Sequence, residues 1–345
     1  MKRYVGSSHS SSISSVANPS SPDNNMKRAK VGLLSTNFLR VCSYNVDGLD
    51  DLNISDRANE VCSILLQEEP DGFLPDVILL QEIVQANFPV FVSRLCSAGY
   101  VLAPSSIPED NEYFTLAFFN GARIQITRSM RTPFSGSNMG RDLIKVEGRL
   151  ALGAADETPF SSASSREFLF MTSHFESLGP GSTERCRQLT QILDNLLSFP
   201  GPALFAGDTN LREGEVKACE QYKKVVDAWM AAGSPAAEKV TWDMSINDNL
   251  KMDGASFLPR MRLDRLLLNW KWGGIGTTTA STTAADSNKG CGGGKGKKKA
   301  AETVKERTEL VRQWKLLGKA RMADGRFPSD HFGISCLVRL PASGV

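Results

Sequence analysis

Strand-like apolar runs alternate with helix-like segments from about residue 39 to residue 340. The strand-like runs are Leu39–Asn45, Asp76–Ile83, Tyr113–Asn120, Ala122–Met130, Leu143–Leu152, Phe168–His174, Ala203–Asn210, Arg262–Asn269 and Gly333–Leu340. The helix-like segments are Arg57–Glu69, Phe88–Ala98 and Thr183–Phe199. In the last of these, Leu189, Ile192, Leu193, Leu196 and Leu197 form one apolar stripe. Asp227–Ala232 and Val304–Leu317 read as shorter helices. Consecutive strands from Tyr113 to His174, with no helix between them, exclude a purely doubly wound parallel sheet. The pattern predicts an α/β protein with two packed sheets and helices on their outer faces.

Two stretches break the pattern. Residues 1–37 are rich in Ser, Asn and Pro, and predict a disordered tail. Residues from about 273 to 303 are rich in Gly, Thr and Ser and contain Lys295, Lys297, Lys298 and Lys299. They predict a flexible insertion, because strand-like segments lie on both sides. The remainder suits one catalytic domain over residues 38–345. No apolar run approaches the roughly 18–20 residues of a helical membrane span. Seven scattered cysteines without a C-x-x-C pair speak against a disulfide scaffold or a zinc module and for a reducing compartment. The net charge of +2 hides a partition. Met1–Lys30 carries +4 and Lys289–Lys299 carries +5, which leaves −7 for the rest. The folded part is therefore acidic overall, and non-specific basic attraction is confined to the two stretches.

Polar groups fall repeatedly at the ends of apolar strands. Asn45 and Asp47 close the first, Glu82 the second, His174 and Glu176 a third, and Asp208, Asn210 and Arg212 a fourth. Arg262-Leu-Asp264 and Pro328-Ser-Asp330-His331 complete the set. Strand ends of packed sheets converge, and converging carboxylates repel unless a cation sits among them. Oxygen and amide donors without clustered cysteine or histidine point to a hard cation, Mg2+ or Mn2+. Metal-assisted hydrolysis of a phosphate ester is the chemistry this implies.

The ordered series N-x-D-G, L-Q-E, S-H-x-E, G-D-x-N, L-D-R and S-D-H resembles the endonuclease/exonuclease/phosphatase superfamily and spans Asn45 to His331. Tyr113-Phe-Thr, Glu184-Arg185, Gly207-Asp-Thr-Asn-Leu-Arg212, Thr241-Trp-Asp243 and Gly325-Arg-Phe-Pro-Ser-Asp-His331 sharpen the resemblance. They are similar to the branch that hydrolyses 5′-phosphotyrosyl bonds at DNA ends. The resemblance implies a four-layer α/β sandwich of two mixed β-sheets, one functional Mg2+ with Mn2+ as a substitute, and a DNA-repair role on topoisomerase II adducts. It further implies a monomer in the nucleus, with cytoplasm and tyrosine-linked RNA left open.

By the same resemblance Glu82 is the leading metal ligand, with Asp47, Asn45 and Asp330 around it. Asp208 is the general base and holds the attacking water with Asn210. His174 and His331 donate to the phosphate oxygens, and Asp264 orients His331. Arg212 and Trp242 form a cation–π pair beside the DNA end, while Tyr113 and Leu263 line a trough for the first nucleotides. Arg141, Glu176 and Ser177 are further DNA contacts. The lysine run is read either as a nuclear signal or DNA tether, or as a solvated linker. A phenolate leaving group, with a pKa near ~10, needs little protonation on departure. The family's S-H-L-E-S-T-R is Ser173-His-Phe-Glu-Ser-Leu178-Gly179 in this chain, so an arginine contact expected there is missing. Alternatives are another Mg2+-dependent phosphodiesterase or nuclease of the superfamily and an inactive nucleic-acid-binding relative. The T-W-D and G-D-T-N-L-R motifs speak against the first, and the intact polar set speaks against the second.

Overall fold

Two parallel strand pairs, each closed by one crossover helix, organise the chain. In the computed structural model β1 (Phe38–Asn45) runs parallel to β2 (Val77–Ile83), with α1 (Ile54–Leu65) as the crossover. Later β7 (Ser165–Ser173) runs parallel to β8 (Ala203–Asp208), with α3 (Ser182–Ser198) between them. A parallel pair cannot be joined by a tight turn, so each helix packs back over its own sheet. The structure describes residues 37–68, 72–108, 111–151, 165–250, 257–269 and 310–340. The expected insertion, and all of the expected tail but Asn37, lie outside the described residues.

Antiparallel strands extend each pair. The first sheet has the order β13-β14-β1-β2-β4-β3, using β3 (Tyr100–Leu102), β4 (Phe114–Asn120), β13 (Val311–Leu317) and β14 (Gly333–Arg339). The second has the order β5-β6-β7-β8-β12-β9, using β5 (Ile124–Pro133), β6 (Asp142–Ala151), β9 (Val226–Asp227) and β12 (Asp264–Leu268). A two-residue ladder joins β10 (Trp242–Asp243) to β11 (Arg260–Met261). The remaining helices are α2 (Phe88–Ser97), α4 (Glu213–Ala218) and α5 (Ala228–Ala231).

Side-chain alternation along the strands builds three apolar seams. Leu39, Val41, Val77, Leu79, Phe168, Phe170, Leu204 and Ala206 meet in the central one, between the sheets. Their neighbours Cys42, Tyr44, Ile78 and Leu80 face Ala58, Val61, Cys62 and Leu65 of α1 and Phe91 and Leu95 of α2. On the far side Leu169, Met171, Ala203 and Phe205 face Leu189, Ile192, Leu193 and Leu196 of α3. Three seams between helix, sheet, sheet and helix make the expected four-layer α/β sandwich with two mixed sheets.

The nine predicted strands are present, with ends shifted by up to three residues within the described part, and the three main helices stand where periodicity put them. One element is corrected. The helix expected over Val304–Leu317 is the edge strand β13 over its described part, from Val311, which pairs antiparallel with β14 around a bulge. Its Lys, Arg and Gln residues favour a helix locally. Docking Trp314 and Leu316 into the central seam overrides that preference.

Candidate active site

The carboxyl ends of both parallel pairs open at one edge, and the polar residues gather there. Asn45 ends β1 and reaches across the sheets: its Nδ2 donates to Glu82 Oε1 at 3.1 Å and to Asp208 Oδ2 at 3.0 Å. Glu82 sits in a bulge of β2 against β4 and adopts a left-handed backbone (φ 58°). A bulge turns a side chain away from the alternation that would otherwise send it into a seam. The loop after β1 packs closely against this bulge, since a Cβ on Gly48 would lie 2.0 Å from the Glu82 carbonyl oxygen.

Asp208, 1 % exposed, lies between two neighbours on its own sheet. His174 bridges to it from the β7 side, and Asp264 stands opposite it on β12. Gly207 permits this, because a Cβ there would sit 2.2 Å from the Ser173 carbonyl oxygen. The Asp208 carboxylate accepts the backbone N–H of Asn210 at 2.9 Å and lies 3.2 Å from His174 Nε2 and 3.7 Å from His331 Nε2. Burial pushes its carboxyl up, but His174, His331 and Asn45 together hold it well below the usual carboxylate range. His331 Nδ1 contacts Asp264 Oδ2 at 2.8 Å. Burial disfavours the His331 cation, and Asp264, Asp330 and Asp208 outweigh that, so the imidazole is raised well above its ordinary value. Thr241 fixes the partner, its hydroxyl accepting the backbone N–H groups of Leu263 and Asp264 at 3.0 and 3.1 Å.

Arg141 is buried behind His174. Its Nη1 lies 2.7 Å from His174 Nδ1, while the other ring nitrogen, Nε2, faces the Asn210 amide nitrogen at 3.1 Å and the Asp208 carboxylate at 3.2 Å. The same guanidinium stacks over Tyr113 at 4.6 Å, and the Tyr113 ring tilts toward His174 at 6.1 Å. Arg141 thus contacts the His174 imidazole directly, where the resemblance implies a DNA contact.

A group of acidic residues flanks Asn45. Asp47, itself left-handed (φ 52°), has its carboxyl pushed up to about 8 by burial and by Asp330, with Arg57 opposing and Glu82 and Asp50 adding to the rise. Arg57, 3.4 Å from the Asp47 carboxylate, offsets only part of the crowding of acidic groups, and the oxygen donors Asp47, Glu82 and Asp330 suit a hard cation. Ligand atoms of Asp208, Asp264 and His331 also lie within 4.8 Å of one another. In that trio the His331–Asp264 hydrogen bond already occupies Nδ1 and Oδ2, so the Glu82 side is the better seat for a metal.

The structure gives several of the expected site residues other partners. Arg212 and Trp242 form no cation–π pair among the described residues: the Arg212 guanidinium donates to the Asn210 carbonyl, and Trp242 Nε1 donates to Asp330 Oδ2 at 3.0 Å. Leu263 is 4 % exposed, and its carbonyl accepts Thr209 N–H at 2.9 Å and the Thr209 hydroxyl at 2.6 Å. Glu176 is buried, and its carboxylate accepts the Ser137 hydroxyl at 2.6 Å and Asn138 N–H at 2.9 Å. Ser177 remains half-buried at the rim, its hydroxyl 3.1 Å from Met139 Sδ.

Arg57 was not legible as a site residue. Buried on α1, it donates to Asp47 O at 2.9 Å, Leu52 O at 3.0 Å, Pro328 O at 3.3 Å and the Asp47 carboxylate at 3.4 Å, as well as to Asp50 O. It binds the loop after β1 to the segment carrying Asp330. Nothing in its sequence neighbourhood distinguishes it from a surface arginine.

Two packed mixed sheets with this ring of carboxylates, amides and imidazoles at their shared edge define a phosphoesterase type of site that can hold a metal cation. The chain belongs to the endonuclease/exonuclease/phosphatase family, whose model matches residues 42–331. It is 29% identical to human tyrosyl-DNA phosphodiesterase 2 over 338 residues, 97% of this chain and 76% of that protein. It spans less of other relatives of that name, 64% of the one from Xenopus laevis and 65% of the one from Mus musculus. Among solved structures it is similar to Danio rerio TDP2 complexed with single strand DNA product, with a TM-score of 0.64 and 28% identity, covering 87% of this chain and 98% of that one. TDP2 from C. elegans superposes with a TM-score of 0.61 at 25% identity, covering 88% of this chain and 75% of that one.

Proposed function

We propose that this chain is a 5′-tyrosyl-DNA phosphodiesterase: it hydrolyses the bond between a tyrosine side chain and the 5′ phosphate of a DNA end. The reading includes Mg2+ as the cation with Mn2+ as a substitute, topoisomerase II adducts as the source of substrate, and a monomer acting in the nucleus. The observation that carries it is the placing of Asp208, an anion held by Asn45 and His174, beside a cationic His331. The relatives' names and the DNA product bound to one of them supply the substrate class.

In this reading Asp208 and Asn210 align a water with the P–O bond to be broken, and Asp208 accepts its proton. A carboxylate held below its usual range is a weak base. Its larger part is alignment: holding the water in line with the departing phenolate lowers the barrier whatever the basicity of the carboxylate. His331 Nε2–H donates to a non-bridging oxygen as charge develops there, and Asp264 keeps the ring cationic and oriented. Glu82, with Asp47 and Asp330, would hold the cation, which neutralises phosphate and phenolate charge when bound. Tyrosine's phenolate needs no dedicated acid to leave.

The test is an oligonucleotide with a 5′-phosphotyrosyl end against its 3′-phosphotyrosyl isomer, each with Mg2+ and with chelator. Cleavage of the 5′ adduct alone, and only with metal, is the expected result. Cleavage of only the 3′ adduct, or undiminished cleavage in chelator, refutes the reading.

A further inference from the structure

Arg185, in the first turn of α3, is 1 % exposed yet touches none of the reacting groups. Its Nη1 donates to the carbonyls of Glu176, Ser177 and Leu178 at 3.1, 3.3 and 2.6 Å. Nε and Nη2 donate to the two oxygens of Glu215 at 3.2 and 2.7 Å. Glu215, in the first turn of α4, also accepts the Ser182 hydroxyl at 2.5 Å and the backbone N–H of Arg212 at 2.8 Å. One planar fork therefore ties the loop that follows His174 to the loop that follows Asp208. Leu178 is left-handed (φ 62°), and a Cβ on Gly181 would meet the Ser177 carbonyl oxygen at 2.5 Å, so the first loop is folded tightly around the guanidinium.

We propose that the Arg185–Glu215 pair is a positioning element for nucleic-acid grip: it sets where the Ser177 rim and the Arg212 guanidinium meet the strand beyond the scissile phosphate. The inference rests on the phosphodiesterase reading above. Arg212 is half-exposed at the site edge, and its backbone is fixed by Glu215 rather than by a sheet. The reacting groups Asp208, His174 and Asn45 are held by the sheet ends themselves and by one another. Loosening the strap therefore blurs the grip on the strand and leaves the chemistry in place. A lysine cannot replace the fork, because a single ammonium does not span three carbonyls and a bidentate carboxylate.

The experiment compares Arg185→Lys and Glu215→Gln with wild type on two substrates: a 5′-phosphotyrosyl oligonucleotide and a mononucleotide aryl ester with the same 5′ phosphodiester. Both variants keep side-chain bulk, and their thermal melts report folding. The expected result is a KM for the oligonucleotide raised about tenfold, with kcat and both constants for the mononucleotide ester within about twofold of wild type. Anisotropy with a 5′-phosphorylated oligonucleotide should show the same loss of affinity. Equal loss on both substrates marks a merely structural role and overturns the proposal, as does an unchanged KM or a variant too unstable to fold. If wild type cleaves neither substrate, it is the phosphodiesterase reading that fails; if wild type cleaves both and the variants match it, only the strap fails.

Discussion

Replacing Asp208 with asparagine preserves shape and removes one charge. Oδ1 accepts Asn210 N–H at 2.9 Å, while Oδ2 accepts Asn45 Nδ2 at 3.0 Å and faces His174 Nε2 at 3.2 Å. An amide has one acceptor, so in either orientation its NH2 faces a donor. Leaving a buried donor unsatisfied costs about 1–3 kcal/mol. Because the site favours the anion at this position, no relief of repulsion offsets that cost. The melting temperature should fall by roughly 2–10 °C. Turnover should fall about 10²–10⁴-fold with loss of the base. Affinity for a 5′-phosphorylated product should hold or tighten, since an anion beside the phosphate is gone. Single-turnover kinetics, anisotropy and a thermal melt of Asp208→Asn read the three quantities separately. A variant with near wild-type kcat would falsify the base assignment, and one with wild-type stability would show that the hydrogen-bond count is wrong.

Asp264→Asn should lower kcat/KM about 10–100-fold, as for loss of one charge-assisted hydrogen bond. The loss should be equal on oligonucleotide and mononucleotide substrates, since it acts at the phosphate. His331→Ala on top of it should add little; full additivity in that double-mutant cycle counts against the pair acting as one unit. Asp227, far from the chemistry, tests acid stability. Burial pushes its carboxyl up, but Arg262 at 2.8 Å, Arg265 at 3.6 Å and the Tyr222 hydroxyl at 2.5 Å hold it below the usual range. A depressed folded value gives stability that is present above the unfolded value of about 3.9 and lost as pH falls through the folded one. Urea midpoints should therefore drop below about pH 4 in wild type, and more shallowly in Asp227→Asn, which should already be weaker by about 3–5 kcal/mol at pH 7. A variant as stable as wild type at pH 7 refutes that pairing.

Strand-end chemistry was readable because a β-strand reports its own end: apolar alternation stops and a polar residue follows, as at Asn45, Glu82, His174 and Asp208. Convergence of those ends follows from packing two sheets, so the site followed from the fold. Side-chain partners did not. Glu176 lies beside His174 in sequence and looks like a ligand contact, but the Ser137–Asn138 turn that uses its carboxylate is remote in the chain and unsigned. Arg57 and Arg185 sit on helices where arginine is ordinarily solvated, and only the inward carbonyls of neighbouring loops reveal their work. Strand β13 is the opposite case: its Lys, Arg and Gln residues favour a helix locally, while pairing with β14 decides the outcome.

Three of the site residues, Asp47, Glu82 and Asn210, hold left-handed backbones that non-glycine residues avoid. Each costs on the order of 1–2 kcal/mol, and at Asp47 repulsion from Asp330 and Glu82 adds to it. Local hydrogen bonds maintain the conformation: Asn45 Oδ1 accepts Asp47 N–H at 3.0 Å, and Arg57 grips the Asp47 carbonyl at 2.9 Å. Neither bond uses the Asp47 side chain. Asp47→Gly should therefore keep the loop and remove both the steric and the electrostatic cost; it also gives up the 3.4 Å contact of the carboxylate with Arg57, so the net gain for the metal-free protein should be below about 1 kcal/mol. The same change should shrink the thermal shift produced by Mg2+, because a cation that bound the wild type partly by relieving that repulsion has less to relieve. Asp47→Asn separates the causes, retaining the backbone cost while removing the charge, and should fall between the two. Melting curves in chelator and in excess Mg2+ give both numbers. A glycine variant less stable than wild type in chelator, with its Mg2+ shift undiminished, would mean that Asp47 serves the loop and not the cation.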